Sequence, residues 1–177
     1  MSEIFHNRIK IVLQIFVVSC FVTAAYAQNA APFRGQLRLT QKEVIAKKAP
    51  EGKLAPGSSG YEAVKVIVLY GDPSKPGLYT ILLEVEPNTT IAAHDHPDDR
   101  IGTVVSGTWH FGYGSKFDAA KLKTLPVGSV YSEGPGVNHF AQTGDTKVIV
   151  SITGYGPTGT TYVNAADDPT KKKPAAK

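Results

Sequence analysis

The histidines of this 177-residue chain fall into a pattern that could do chemistry. His94 and His96 stand one residue apart in IAAHDHPDDRIGTVVSG, residues 91 to 107, and His139 follows a Gly/Pro turn in GPGVNHF. Side chains of an extended strand alternate faces, so His94 and His96 share one face and Asp95 takes the other. Pro97 supports this, because the residue before a proline is pushed toward extended geometry. Two imidazoles side by side on a strand supply adjacent corners of a metal site, provided each turns a neutral ring nitrogen toward the ion. His139, placed at the start of another strand, offers a third. Arg100 lies just beyond the pair. A guanidinium has only donors and stays protonated, so it meets anions and cannot ligate a cation.

The elements that must position these residues read as short strands. VKVIVLY (64 to 70) ends at the turn sequence GDPSKPG, and LYTILLEVE (78 to 86) is closed by Pro87 and Asn88. IAAHDH, IGTVVSG, TWHFGYG, SVYSEGPG, VNHFAQTGD and TKVIVSITGYG follow, each bounded by Gly, Pro, Asn or Asp. FDAAKLK (117 to 123) reads as a brief helix in a loop joining two strands, and Leu37 to Ile45 as a short helix or strand. About eight strands at this spacing predict an all-β single domain, a sandwich or a barrel. No internal repeat of fixed period is present.

Laid end to end, these motifs resemble the two motifs of the cupin family. The first runs glycine, five residues, H-x-H, three or four residues, glutamate, six residues, glycine. It places His94, His96 and Gly107 here, with Asn88 at the opening glycine, an exchange suited to a residue that visits the left-handed region. The second runs glycine, five residues, P-x-G-x-x-H, three residues, asparagine. It finds Gly128, Gly136 and His139, with the proline displaced to Pro135 and the asparagine replaced by Thr143. The resemblance covers residues 61 to 157 and implies a cupin-like double-stranded β-helix, a jelly-roll barrel with a metal inside.

One departure stands out: where the family has a glutamate ligand, this chain has Arg100. The implied site is then His94, His96 and His139, leaving up to three positions of an octahedron for water and substrate. A divalent ion among three neutral imidazoles keeps its full charge, and an inward Arg100 adds to it. That predicts a site favouring an anion or an enolate-like oxygen, with Arg100 as the catalytic residue that steers or neutralises the anion. Some cupin-type dioxygenases that use Fe(II), including those acting on diketones, also carry three histidines. The resemblance thus implies a metal-dependent, dioxygenase-like oxidoreductase with Fe(II) as first choice and Mn(II), Zn(II) or Ni(II) as alternatives. A non-catalytic metal or ligand-binding cupin, or an isomerase or lyase with a redox-inert ion, is the competing reading. The family also implies a homodimer.

Nearby residues have plainer readings. His110 alternates with Trp109 and Phe111 in GTWHFGYG and takes the opposite face, lining a pocket or the surface. Glu133 either brings a carboxylate to the site from a new direction or pairs at a strand end with a nearby base. Asp98 and Asp99 form an acidic turn that orients Arg100 and tunes the site. GYGPTGTTYV lacks the lysine and the strand-loop-helix context of a phosphate loop.

The ends of the chain carry location. Arg8 and Lys10 precede the apolar run IVLQIFVV, and AYA (25 to 27) follows, the three-part form of an export signal cleaved after Ala27. The apolar run is too short for a membrane span. A lipobox at Cys20, in VVSC, is the lesser alternative. Cleavage takes the formal charge from +4 to +3 and removes the only cysteine. The mature chain then has no thiol chemistry, which suits a periplasmic or secreted protein. Residues 28 to 60 read as an N-terminal segment and linker, and 158 to 177, ending in KKKPAAK, as a disordered basic tail. No basic stripe with interleaved aromatics points to nucleic acid.

Overall fold

The structure, a computed structural model, describes residues 35–49 and 57–171. The expected export signal over 1–27 and the end of the expected tail lie outside the described residues. Ten strands follow one short helix: α1 Gln41–Ile45, β1 Val64–Tyr70, β2 Gly77–Val85, β3 Thr90–Asp95, β4 Arg100–Ser106, β5 Trp109–Tyr113, β6 Lys123–Leu125, β7 Val130–Glu133, β8 His139–Thr143, β9 Val148–Gly156 and β10 Thr161–Tyr162. They form two antiparallel five-stranded sheets, ordered β1-β2-β9-β4-β7 and β10-β3-β8-β5-β6. The architecture is the all-β jelly roll that the motifs imply.

The core lies between the sheets. Val66, Tyr79, Ile81, Val104, Val150 and Ile152 from the first meet Ile91, Trp109, Phe111 and Ala141 from the second. Burying each such side chain contributes roughly 1.5–3 kcal/mol. β1 and β2 carry apolar residues on both faces because part of their outer face is covered too. There Ile67, Leu82 and Ile149 pack under Val44 and Ala49. Helix α1 is short but well started: Thr40 Oγ1 accepts from Glu43 N–H while the Glu43 carboxylate accepts from Thr40 N–H, a capping box. Among the described residues no helix is long and apolar enough to cross a membrane.

Two turn positions carry the motif geometry. Asn88, standing where the motif has glycine, has φ 55°, and its N–H donates to the Gly144 carbonyl. Gly107 has φ 78°, and a Cβ there would fall 2.5 Å from the Lys147 carbonyl oxygen.

Three features of the fold differ from the sequence reading. FDAAKLK holds a single 3-10 turn, Ala119–Lys121, because the Asp118 side chain caps Ala120 N–H, and the chain then enters β6. The folded unit does not stop at 157: β10 pairs with β3 through Thr161↔Asp95 and Tyr162↔His94, and 3-10 turns follow to Lys171. The segment 158–171 is therefore structure and not tail, because it satisfies the backbone of the strand that carries His94. β3 itself is not regular: its register against β8 shifts between Ile91 and His94.

Gly102 tests the packing. A Cβ at this position on β4 would lie 2.3 Å from Tyr131 Cζ, with backbone on either side held in the sheet. Gly102→Val should lower stability by about 1–3 kcal/mol through overpacking, read as a fall in the denaturation midpoint with the slope unchanged.

Candidate metal centre

The irregularity in β3 positions the first ligand. Strict alternation would turn Ile91 and His94 to opposite faces, yet both are buried and line the same cavity. The extra residue of the bulge makes this so. His94 then pairs directly across the ladder with His139 of β8. His96, one residue beyond β3, is tied to the turn before β8 because its carbonyl accepts from Gly136 N–H at 2.9 Å. Gly136 has φ 67°, the conformation that its place in the GPG turn requires.

These constraints bring His94, His96 and His139 together, with ring nitrogens that all lie within 4.8 Å of one another. All three residues are buried. Each ring is oriented by a backbone carbonyl: Nδ1 of His94 by Ala92 at 2.7 Å, of His96 by Gly159 at 2.5 Å, and of His139 by Val137 at 2.9 Å. A carbonyl only accepts, so Nδ1 of each neutral ring carries the hydrogen and Nε2 keeps its lone pair. Nε2 of His96 and of His139 is buried without a hydrogen-bond partner. A buried polar atom left unpaired is costly, and two of them side by side fit a divalent cation.

The rings are held neutral. Burial first, then neighbouring His139, lowers the His94 pKa from 6.5 to about 4. Burial first, then Arg100, lowers His96 to about 2, and burial lowers His139 as well. Neutral imidazole is the form that ligates a metal.

Arg100 and Glu133 face each other across β4 and β7. Arg100 Nε donates to Glu133 Oε2 at 2.7 Å, Nη2 donates to the same oxygen, and Nη1 donates to Thr158 Oγ1 at 3.4 Å. Both residues are only 3% exposed. Burial, the largest single influence, would raise the Glu133 pKa, but the Arg100 charge, the neighbouring His139 and His96 and the hydrogen bond from Arg100 together outweigh it and hold the carboxyl at about 2. The expectation of an unmatched positive charge from Arg100 is therefore corrected, since Glu133 balances it. Glu133 both pairs with a base and reaches the site: Oε2 lies 3.7 Å from His96 Nε2, and Oε1 lies 3.8 Å from His139 Nε2.

The remaining candidates separate cleanly. His110 stays apart from the three histidines, on the face opposite Trp109 and Phe111, with Nδ1 3.2 Å from Thr124 Oγ1. Asp98 is buried and accepts from Tyr79 O–H at 2.6 Å, while Asp99 is exposed. Leu83, Ile91, Trp109, Phe111 and Ala141 form the apolar wall of the narrow cavity before the histidines. Sequence reasoning missed Gly159 and Thr158, which support His96 and Arg100 from about sixty residues away. No local signal marks them.

No family model and no curated protein matches this chain. Among solved structures, the polyketide cyclase RemF from Streptomyces resistomycificus aligns with a TM-score of 0.57 at 17% identity, over 76% of this chain and 90% of that one. An RmlC-like cupin from Shewanella frigidimarina aligns at 20% identity with a TM-score of 0.44, over 54% of this chain and 78% of that one. The fold is a cupin-like jelly roll, the one that RemF shares. A salicylate 1,2-dioxygenase from Pseudoaminobacter salicylatoxidans aligns at 13% identity with a TM-score of 0.47, over 67% of this chain. The aligned part is 31% of the length of that dioxygenase. What the chain shares with RemF at such identity is the fold.

The depressed histidines give the metal-free protein an acid dependence. His94 binds its proton near pH 4 when folded and near 6.5 when unfolded, so the unfolded chain takes up more protons between these values. Stability is complete above pH 6.5 and falls as the pH drops toward 4, and Glu133 adds a further loss from 4.5 toward 2. Thermal unfolding of the chelator-treated protein should show the melting temperature falling between pH 7 and 4. A flat profile would contradict the buried, neutral histidines.

Proposed function

We propose that this chain is a metal-dependent cupin enzyme, a dioxygenase-like oxidoreductase acting on a small enolisable substrate. One observation carries the reading: three buried imidazoles each bring a ring nitrogen within 4.8 Å of the others, with every Nδ1 already bonded to a carbonyl. His94, His96 and His139 would hold the ion, and a redox-active ion such as Fe(II) would supply the electron transfer that oxygen chemistry needs. The chain's own residues supply the rest. The carbonyls of Ala92, Val137 and Gly159 fix the ring orientations, and the apolar wall keeps water from the site. An enolisable substrate suits a site with open positions beside neutral nitrogen ligands. Because Arg100 spends its hydrogen bonds on Glu133 and Thr158, its part in this reading is to balance charge at the site. Export from the cytosol, with maturation after Ala27, belongs to the same proposal, supported by the arrangement of charge and apolar residues ahead of AYA.

Metal analysis of the purified protein, with oxygen uptake across a panel of small carbonyl compounds, tests this. The expected result is one iron per chain and substrate-dependent uptake, both lost in His139→Ala with metal affinity down by more than about 100-fold. Stoichiometric zinc without oxygen uptake would instead favour the isomerase, lyase or binding-module reading. Metal content unchanged in His139→Ala would remove the three-histidine site altogether.

A further inference from the structure

We propose that Glu133 is the specificity-determining residue of this site and Arg100 its positioning residue. Together they reject anionic ligands and favour neutral ones that donate an O–H hydrogen bond. The inference rests on the metal-site reading above and goes beyond it by choosing the ligand class.

The hydrogen bonds from Arg100 both fall on Glu133 Oε2. Both oxygens stand beside the histidines, Oε2 3.7 Å from His96 Nε2 and Oε1 3.8 Å from His139 Nε2, but Oε1 accepts no hydrogen bond from Arg100, and Glu133 borders the cavity. The three histidines converge as one group, and the carboxylate stands beside two of them. An ionised carboxylate has acceptors only, so it presents negative charge and lone pairs to anything lying against the histidines. A second anion at that place meets like charge in a buried setting, where repulsion is strong. A ligand carrying an O–H instead gives Oε1 a hydrogen bond. Arg100 borders the same cavity but does not reverse this, because its donors are engaged, Nε and Nη2 on Glu133 Oε2 and Nη1 on Thr158 Oγ1. Its contribution is to fix the carboxylate in place and keep it ionised.

Three proteins test the proposal: wild type, Glu133→Gln, and the double variant Arg100→Met with Glu133→Met. Each is loaded with Co(II), analysed for cobalt and checked for folding by circular dichroism. Each is then titrated with azide, an anion, and with glycolamide, a neutral O–H ligand, while the cobalt absorption spectrum is followed. In Glu133→Gln, azide should bind at least about tenfold tighter and glycolamide at least about tenfold weaker. Opposite changes for the two ligands are not produced by a loosened fold or by partial loss of metal. Azide affinity unchanged or weakened in Glu133→Gln overturns the proposal, as does a change in the same direction for both ligands.

Glutamine leaves the buried Arg100 charge without its partner, and a protein so altered can lose its fold. The double variant replaces the pair with apolar side chains and decides the question in that event. Azide binding tighter than wild type supports the proposal, and binding equal or weaker overturns it. Wild type that takes up no cobalt overturns this proposal and the metal reading together. Stoichiometric cobalt with unaltered azide affinity overturns this proposal alone.

Discussion

The buried ion pair between Arg100 and Glu133 is the constraint around which the rest of the site is arranged. Two charges taken out of water cost several kcal/mol each, and their attraction recovers this only when the geometry is good and the remaining donors are satisfied. Here the geometry comes from the sheet: Arg100 and Glu133 are directly opposed in the ladder of β4 and β7, and Thr158 receives the third guanidinium nitrogen. An apolar pair of similar volume would stabilise a barrel at least as well. That nature of the trade assigns the pair to the site and not to the core, and the site is where its charges point.

Around that pair the barrel divides its labour. The first sheet carries the charged pair on β4 and β7, and the second carries His94 and His139 on β3 and β8. The two sets meet because the sheets pack face to face over an apolar core, with Phe111 stacked beside His139 at a ring separation of 5.3 Å. Burial in that apolar space depresses the histidines, whereas Glu133 stays ionised against the same burial because Arg100 and the neighbouring histidines face its carboxylate.

Much of this was legible in the sequence because it is local. Turn residues bounded the strands, and their left-handed backbone appears at Asn88, Gly107, Gly128 and Gly136. H-x-H and the GPG turn put three histidines on inward positions. What was not legible depends on pairing. The bulge in β3 decides that His94 joins Ile91 on the inner side, and no residue type in IAAH announces it. The charge of the site was misjudged for a similar reason: Arg100 and Glu133 are 33 residues apart, and only the register of two strands makes them partners. The role of 158–171 escaped notice because β10 has just two residues, too few for any periodicity.

The hydrogen bond from His96 to Gly159 joins a candidate ligand to a residue 63 positions later in the chain. That imidazole therefore has its fixed orientation only while the segment that carries β10 is docked on β3. A change that loosens β10 would free the His96 ring without touching any of the three histidines.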